Sequence, residues 1–293
     1  MKTHATFLPG RAALALAVAV GLTASVAAVA APQKAAKPAT QSAQAFKPVV
    51  EERAMAILKA TSERLAAAKG LSFTATVSYE FPSKLGPAIV YMTRYDVSLQ
   101  RPDRLRVTTR GDGPAVEFFY DGKSIVAHAP AENLVAVADA PPKLDAALLQ
   151  AFRTAGIYFP FTDLIVPDPY AAMAAGVKSA FYIGNSEVVG GVKTDIIAWA
   201  DNDVFLQMWI GTEDRLPRRF RAIFRADPMR LRHDMELSNW KVEPQFAAEA
   251  FDSTKARSAR AIPFGHPVSV PPPGVKPLTD KSKGKPAASG AAK

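Results

Sequence analysis

The sequence predicts an α+β domain: a curved, unclosed antiparallel β-barrel of about 11 strands with helices plugging its concave face. Three observations carry this. Period-two stretches dominate residues 71–242, turn-forming residues separate them, and helical periodicity is confined to two main places. Short connections make neighbouring strands antiparallel. Clean alternation leaves one sheet face wet and the other covered. A sheet of so many strands must curl or close, and the helices then pack on its apolar face. There is no βαβ alternation, which argues against a doubly wound fold.

The elements follow in chain order. Ala54, Ile57, Leu58, Thr61, Leu65 and Ala68 recur at helical spacing, and Gly70 stops that helix. Over 71–81 the period becomes two. Leu71, Phe73, Ala75, Val77, Tyr79 and Phe81 alternate with small or polar residues at every position. Weaker alternation marks strands around 91–100 and 104–107, then short strands at 115–120, 123–129 and 133–138. Gly111-Asp-Gly, Asp121-Gly122 and Pro130-Ala-Glu-Asn separate them with turn chemistry. A second helix is expected at 143–155, ended by Gly156. A proline-punctuated stretch, Pro160 to Tyr170, leads to a short helix at 170–175. Strands resume at 177–188, 191–200, 203–211, 217–226 and 230–242.

The ends differ from the middle. Residues 1–30 read as a signal peptide: Lys2 and Arg11, an apolar run from Ala12 to Ala27, and Ala28-Val29-Ala30 as a small-x-small cleavage site. Export and cleavage near Ala30 would place the mature chain in a bacterial periplasm. Residues 31–47 read as a disordered linker and 265–293 as a disordered Pro/Lys-rich tail, which leaves 48–264 as the folded domain. The net charge of +9 sits on those flanks. Between 51 and 264 there are 26 basic and 26 acidic residues. The charge therefore points away from nucleic acid. It allows weak contact of the basic tails with anionic membrane or cell wall. With no cysteine, disulfides, thiolate metal sites and cysteine nucleophiles are excluded.

No constellation of catalytic residues emerges. His128 and His233 stand alone in strand patterns, and no paired-histidine zinc motif, nucleophile elbow or phosphate loop is present. No cofactor or metal is expected. Asp163, Asp168 and Asp195 have no spacing that would pair them for acid–base work. Asp201 and Asp203 read as a hairpin tip rather than a calcium site. Arg219, Arg221 and Arg225 share one strand face, while Phe220, Ala222 and Phe224 share the other. A stacking platform for nucleic acid needs both kinds on one face.

What remains is the inward aromatic and aliphatic set: Phe73, Val77, Tyr79, Tyr91, Tyr95, Phe220 and Phe224, with Phe81 in the same phase. Such a set either fills a core or lines a cavity for an apolar ligand.

Three stretches carry a family resemblance: Glu63–Ala75 (ERLAAAKGLSFTA), Arg101–Val107 (RPDRLRV), and Tyr120–Pro130 (YDGKSIVAHAP) followed by Leu134–Val137. Their order resembles the periplasmic lipoprotein-localisation carrier superfamily. With Gln207–Ile210, Leu216-Pro-Arg218 and Phe251, the chain is similar to a bacterial family of predicted periplasmic proteins of unknown function. The likeness spans about 50–264, although the C-terminal half departs from the carrier pattern. It implies an unclosed barrel with a helical lid over a cavity for acyl chains. It also implies that Arg101, at the arginine of the Arg-Pro motif, ties the lid to the barrel. The resulting expectation is an exported, non-enzymatic protein that binds a lipid, an acyl chain or a lipidated partner. The alternative is a structural or regulatory envelope protein with a self-filled barrel that binds protein partners.

Overall fold

A computed structural model describes residues 48–266. The expected signal peptide, the linker and residues 267–293 of the tail lie outside the described residues.

Helix α1 (Glu52–Ala67) opens the described chain. Strands β1 (Gly70–Phe81), β2 (Ile89–Gln100), β3 (Arg104–Gly111), β4 (Val116–Tyr120), β5 (Ser124–Ala129) and β6 (Leu134–Asp139) follow as a meander. Next come α2 (Leu144–Ala155), α3 (Thr162–Ile165) and α4 (Pro169–Ala174). Strands β7 (Ser179–Ser186), β8 (Thr194–Ala200), β9 (Val204–Gly211), β10 (Pro217–Phe224) and β11 (Arg232–Val242) form a second meander. Helix α5 (Thr254–Arg257) and strand β12 (Arg260–Ile262) are the last described elements.

All 12 described strands join one unclosed, curved sheet in the order β12-β6-β5-β4-β3-β2-β1-β11-β10-β9-β8-β7. Strand β1 is the seam between the meanders. It pairs β2 from Gly70↔Gln100 to Phe81↔Ile89 and β11 from Leu71↔Val242 to Tyr79↔His233. Among the described strands every pairing is antiparallel except β12 with β6, which is parallel, as is the isolated bridge Val50↔Ala180 at the β7 edge. Strand β12 lies beyond the expected set because three exposed residues cannot display alternation.

The two edges are managed differently. At β7, Glu51 donates its amide to the Ala180 carbonyl at 2.8 Å, and the Ala180 amide donates to Val49 at 2.9 Å. The Glu51 carboxylate also accepts the Tyr182 amide at 2.8 Å. These bonds occupy edge groups that would otherwise invite another strand, and they fix where α1 begins. At the other end β12 covers β6.

The main core lies on the concave face. Leu58 and Leu65 of α1, Leu71, Phe73 and Ala75 of β1, and Phe161 before α3 are all buried there. Helix α1 runs against β7, β8, α3 and α4. A second, smaller core joins Phe119, Val126 and Val135 to Ala256 of α5 on the opposite face of the sheet. Strand β4 is therefore covered on both sides, which is why Phe118, Phe119 and Tyr120 are buried in succession.

Candidate functional site

The concave face is filled over one half and hollow over the other. Over β1–β4, Phe159 and Phe161 stack at 5.5 Å. Phe118 meets Phe159 edge-on at 5.1 Å, and Tyr95 meets Phe161 at 5.5 Å. Phe73 lies 4.4 Å from the Trp240 ring and 5.5 Å from Phe161. Two of the expected cavity residues, Phe73 and Tyr95, thus belong to this packed aromatic layer.

Over β8–β11 the helices stand off the sheet and leave a cavity of about 510 Å³. Its floor comes from strand residues in the inward phase: Val77, Trp199, Leu206, Phe220 and Met235. Its roof comes from Phe152 of α2, Tyr158 and Pro160 of the α2–α3 connection, Leu164 of α3 and Met173 of α4. The Trp199 indole N–H donates to the Met173 carbonyl at 3.0 Å, so the floor's buried polar group is satisfied from the roof. Phe152, Tyr158 and Phe224 line the cavity and are also exposed, which puts them at its mouth. A second cavity of about 380 Å³ shares Phe152, Tyr158 and Asp163 with the first.

Of the residues expected from sequence, the structure places Val77, Phe220 and Phe224 in the cavity wall. Tyr79 and Tyr91 stack at 5.7 Å beside the cavity, and Tyr79 lies 6.4 Å from the ring of His233, which lines it. Sequence reasoning missed Trp199, Leu206 and Met173. The alternation Ile197–Trp199 was a usable signal for the floor. Nothing in the sequence placed Met173 against it.

The ionisable groups on the two cavity walls are Asp145, Tyr158, Asp163, His233 and Asp234. Among the described residues no lysine or arginine lines either cavity. Asp234 is matched by Arg219 at 3.0 Å. Asp163 keeps an accessible edge at the mouth, but the apolar atoms around its carboxyl push its pKa up. The same desolvation raises Tyr158, with the Asp163 charge adding to it.

Arg101, at the end of β2, reaches the helices. Nη1 donates to the Ile165 carbonyl at 2.9 Å, Nη2 to Val166 at 3.2 Å, and Nε to Ala68 at 3.2 Å. Burial pushes the guanidinium pKa down.

The other carboxylates take separate structural jobs. Asp168 caps α4 by accepting the Ala171 amide at 2.8 Å. Asp201 accepts the amides of Asp203 and Val204 in the β8–β9 turn. Buried Asp195 accepts from Asn185 at 2.9 Å, Arg215 at 2.9 Å and Tyr182 at 3.2 Å. On β10, Arg219 bonds Asp234 and approaches Glu236 at 3.6 Å, while Phe220 turns inward. Among the described residues no group of three or more His, Cys, Asp or Glu side chains is placed to hold a metal ion. No described helix is long and apolar enough to cross a membrane.

A family model described as predicted periplasmic protein (DUF2092) matches residues 54–265. No curated protein matches the chain. Among solved structures, an uncharacterised conserved protein from Thermus thermophilus is 13% identical with a TM-score of 0.41, covering 72% of this chain and 99% of that one. The MucA/MucB complex of Pseudomonas aeruginosa gives 13% identity and a TM-score of 0.39, covering 70% of this chain. The chain spans 62% of the length of the matched chain of that complex. A putative outer membrane lipoprotein-sorting protein domain from Vibrio parahaemolyticus gives 10% identity and a TM-score of 0.35, covering 70% of this chain and 99% of that one.

Proposed function

We propose that this chain, which belongs to the DUF2092 family of predicted periplasmic proteins, holds a lipid, an acyl chain or a lipidated partner in its apolar cavity and performs no catalysis. The chain is periplasmic. Residues 1–30 act as its signal peptide, cleaved near Ala30, and 48–264 form the working domain.

The observation that carries the reading is the hollow over β8–β11. Its volume of about 510 Å³ falls within the ~300–1,000 Å³ of small-ligand sites. Its walls are mostly aliphatic and aromatic, with Val77, Phe220 and Phe224 as ligand contacts. Burial there stabilises an alkyl chain by about 0.8 kcal/mol per methylene, before the costs of ordering are subtracted. The roof acts as the lid, and Arg101 is its latch to the barrel. Ligand entry takes the mouth at Phe152, Tyr158 and Phe224.

The test is occupancy. Protein purified from the periplasm should release a co-extracting lipid detectable by mass spectrometry. Delipidated protein should take up a fluorescent fatty acid, and Phe220→Asp should abolish that uptake. Absence of both signals from the wild-type protein overturns the reading.

One observation favours a second reading, a regulatory envelope module that grips a protein partner. The chain's own Phe118, Phe159 and Phe161 fill half of the concave face, as in a self-filled barrel. Under that reading delipidated protein takes up no alkyl probe.

A further inference from the structure

Strands β1 and β2 outrun their neighbours. They pair with each other as far as Phe81↔Ile89. Yet β11 accompanies β1 only to Tyr79, and β3 accompanies β2 only from Thr93. Residues 81–91 therefore form a two-stranded tip beyond the sheet, flanked by Glu80, which accepts the Arg232 amide, and Met92, which bonds Asp112.

This tip is apolar on both sides. Phe81, Ile89 and Tyr91 share one strand phase, and Val90 and Met92 share the other. All five are exposed. At the turn Leu85 is 91% exposed. Isolated exposed apolar residues are ordinary, but six on one hairpin are not. A groove on a protein covers one face of a hairpin. A lipid phase covers both.

The charge pattern selects the lipid. Between Phe81 and Met92 the only charged residue is Lys84. The adjacent β10–β11 turn adds Arg225, Arg230 and the exposed Met229. Its Asp227 carboxylate accepts the Met229 and Leu231 amides, and Arg232 is matched by Glu80. Lys84, Arg225 and Arg230 make no ion pair among the described residues, whereas Glu80 pairs with Arg232 and the Asp112 carboxylate of the β3–β4 turn accepts the Met92 amide at 2.7 Å, so these three cations are available to headgroups. Apolar side chains that enter the acyl boundary, ringed by cations at headgroup level, suit an anionic bilayer. The turn also limits its own backbone cost. Pro82 and Pro87 carry no amide hydrogen, and the Ser83 hydroxyl oxygen accepts the Leu85 amide at 3.2 Å.

We propose that the β1–β2 hairpin tip inserts into the interface of an anionic lipid bilayer. A line of rings then connects membrane to cavity. Tyr91 contacts Phe81 and Tyr79, Tyr79 lies beside His233, and Phe224 meets His233 edge-on at 5.2 Å. Docking by this tip turns the mouth at Phe224 toward the lipid surface. The proposal stands without any cavity ligand.

The experiment is vesicle flotation of the full chain, tails included. Vesicles of phosphatidylglycerol and phosphatidylethanolamine should carry the protein, and pure phosphatidylcholine vesicles should carry much less. Leu85→Asp combined with Val90→Asp should lower the bound fraction about tenfold. Circular dichroism checks that this variant folds. Independently, Leu85→Trp emission should shift to the blue when anionic vesicles are added. Equal flotation of the folded double variant would assign binding to the basic tails and overturn the proposal. So would an unshifted Leu85→Trp emission, or no flotation of the wild type. Wild-type self-association that the double variant removes, with no vesicle binding, would assign the tip to a second copy instead.

Discussion

Arg101 donates from Nη1 to the carbonyl oxygen of Ile165 at 2.9 Å, across the gap between the end of β2 and the end of α3. The same guanidinium reaches Val166 and Ala68, so it closes the carboxyl ends of α3 and α1 together. Helix carboxyl ends expose carbonyls without intrahelical partners and carry partial negative charge. A planar cation with several donors satisfies both needs at once.

Arg101→Ala should cost roughly 2 kcal/mol of stability, because several partly buried carbonyls lose a charged donor. Arg101→Lys keeps the charge but lacks the fork. It should recover no more than about half of that loss. Urea unfolding with an unchanged slope measures both. If Lys restores full stability, the fork geometry is irrelevant to this contact.

Asp163 gives a pH signature. Its ordinary value is 3.8, and desolvation at the cavity mouth raises it in the fold. A raised carboxyl contributes stability that is full below the unfolded pKa and is lost as pH rises through the folded one. Asp163→Asn removes that loss. The variant should match the wild type in acid and melt slightly higher at neutral pH, the margin being small because the residue is exposed. Thermal unfolding from acid to neutral pH checks the sign. A variant that melts lower at neutral pH would mean that the carboxylate has a stabilising partner.

Much of this architecture was legible in strand phase. The alternation from Leu71 to Phe81 identifies β1 and its inward residues. The opposite phases of Arg219 and Phe220 orient β10 correctly, with Phe220 turned toward the cavity. What phase cannot say is which part of a concave face its helices will fill. Phe73, Val77 and Tyr79 read identically in the sequence. The positions of Phe159 and Phe161 bury the first, leave the second in a cavity wall and the third beside it. Helix α3 was hidden because four residues between Pro160 and Pro167 show no helical period.

Tyr120 illustrates a buried phenol with one partner. Its hydroxyl donates to the Pro141 carbonyl at 2.8 Å. Desolvation, with Asp103, Asp121 and Asp145 nearby, pushes its pKa up to about 12. The associated stability is full below the unfolded value of about 10 and is lost as pH rises toward 12. Ultraviolet titration should show Tyr120 ionising late, together with the other raised phenols Tyr95, Tyr158 and Tyr182, and Tyr120→Phe should remove one phenol from the end of that late step. The same variant should cost about 1 kcal/mol at neutral pH for the lost hydrogen bond.

Phe73 and Ala222 separate packing from binding. Phe73 is buried against Trp240 and Phe161, so Phe73→Ala should cost about 3–5 kcal/mol. Ala222 borders the cavity, where a larger side chain has room to enter. Ala222→Trp fills that space, and its cost should not exceed the ~1–3 kcal/mol of a small-to-large change. Uptake of a fluorescent fatty acid should fall at least tenfold in Ala222→Trp. In Phe73→Ala, uptake per folded molecule should stay within about threefold of wild type. The reverse pattern, with Ala222→Trp binding normally, would move the ligand site away from the hollow over β8–β11 and into the aromatic layer over β1–β4.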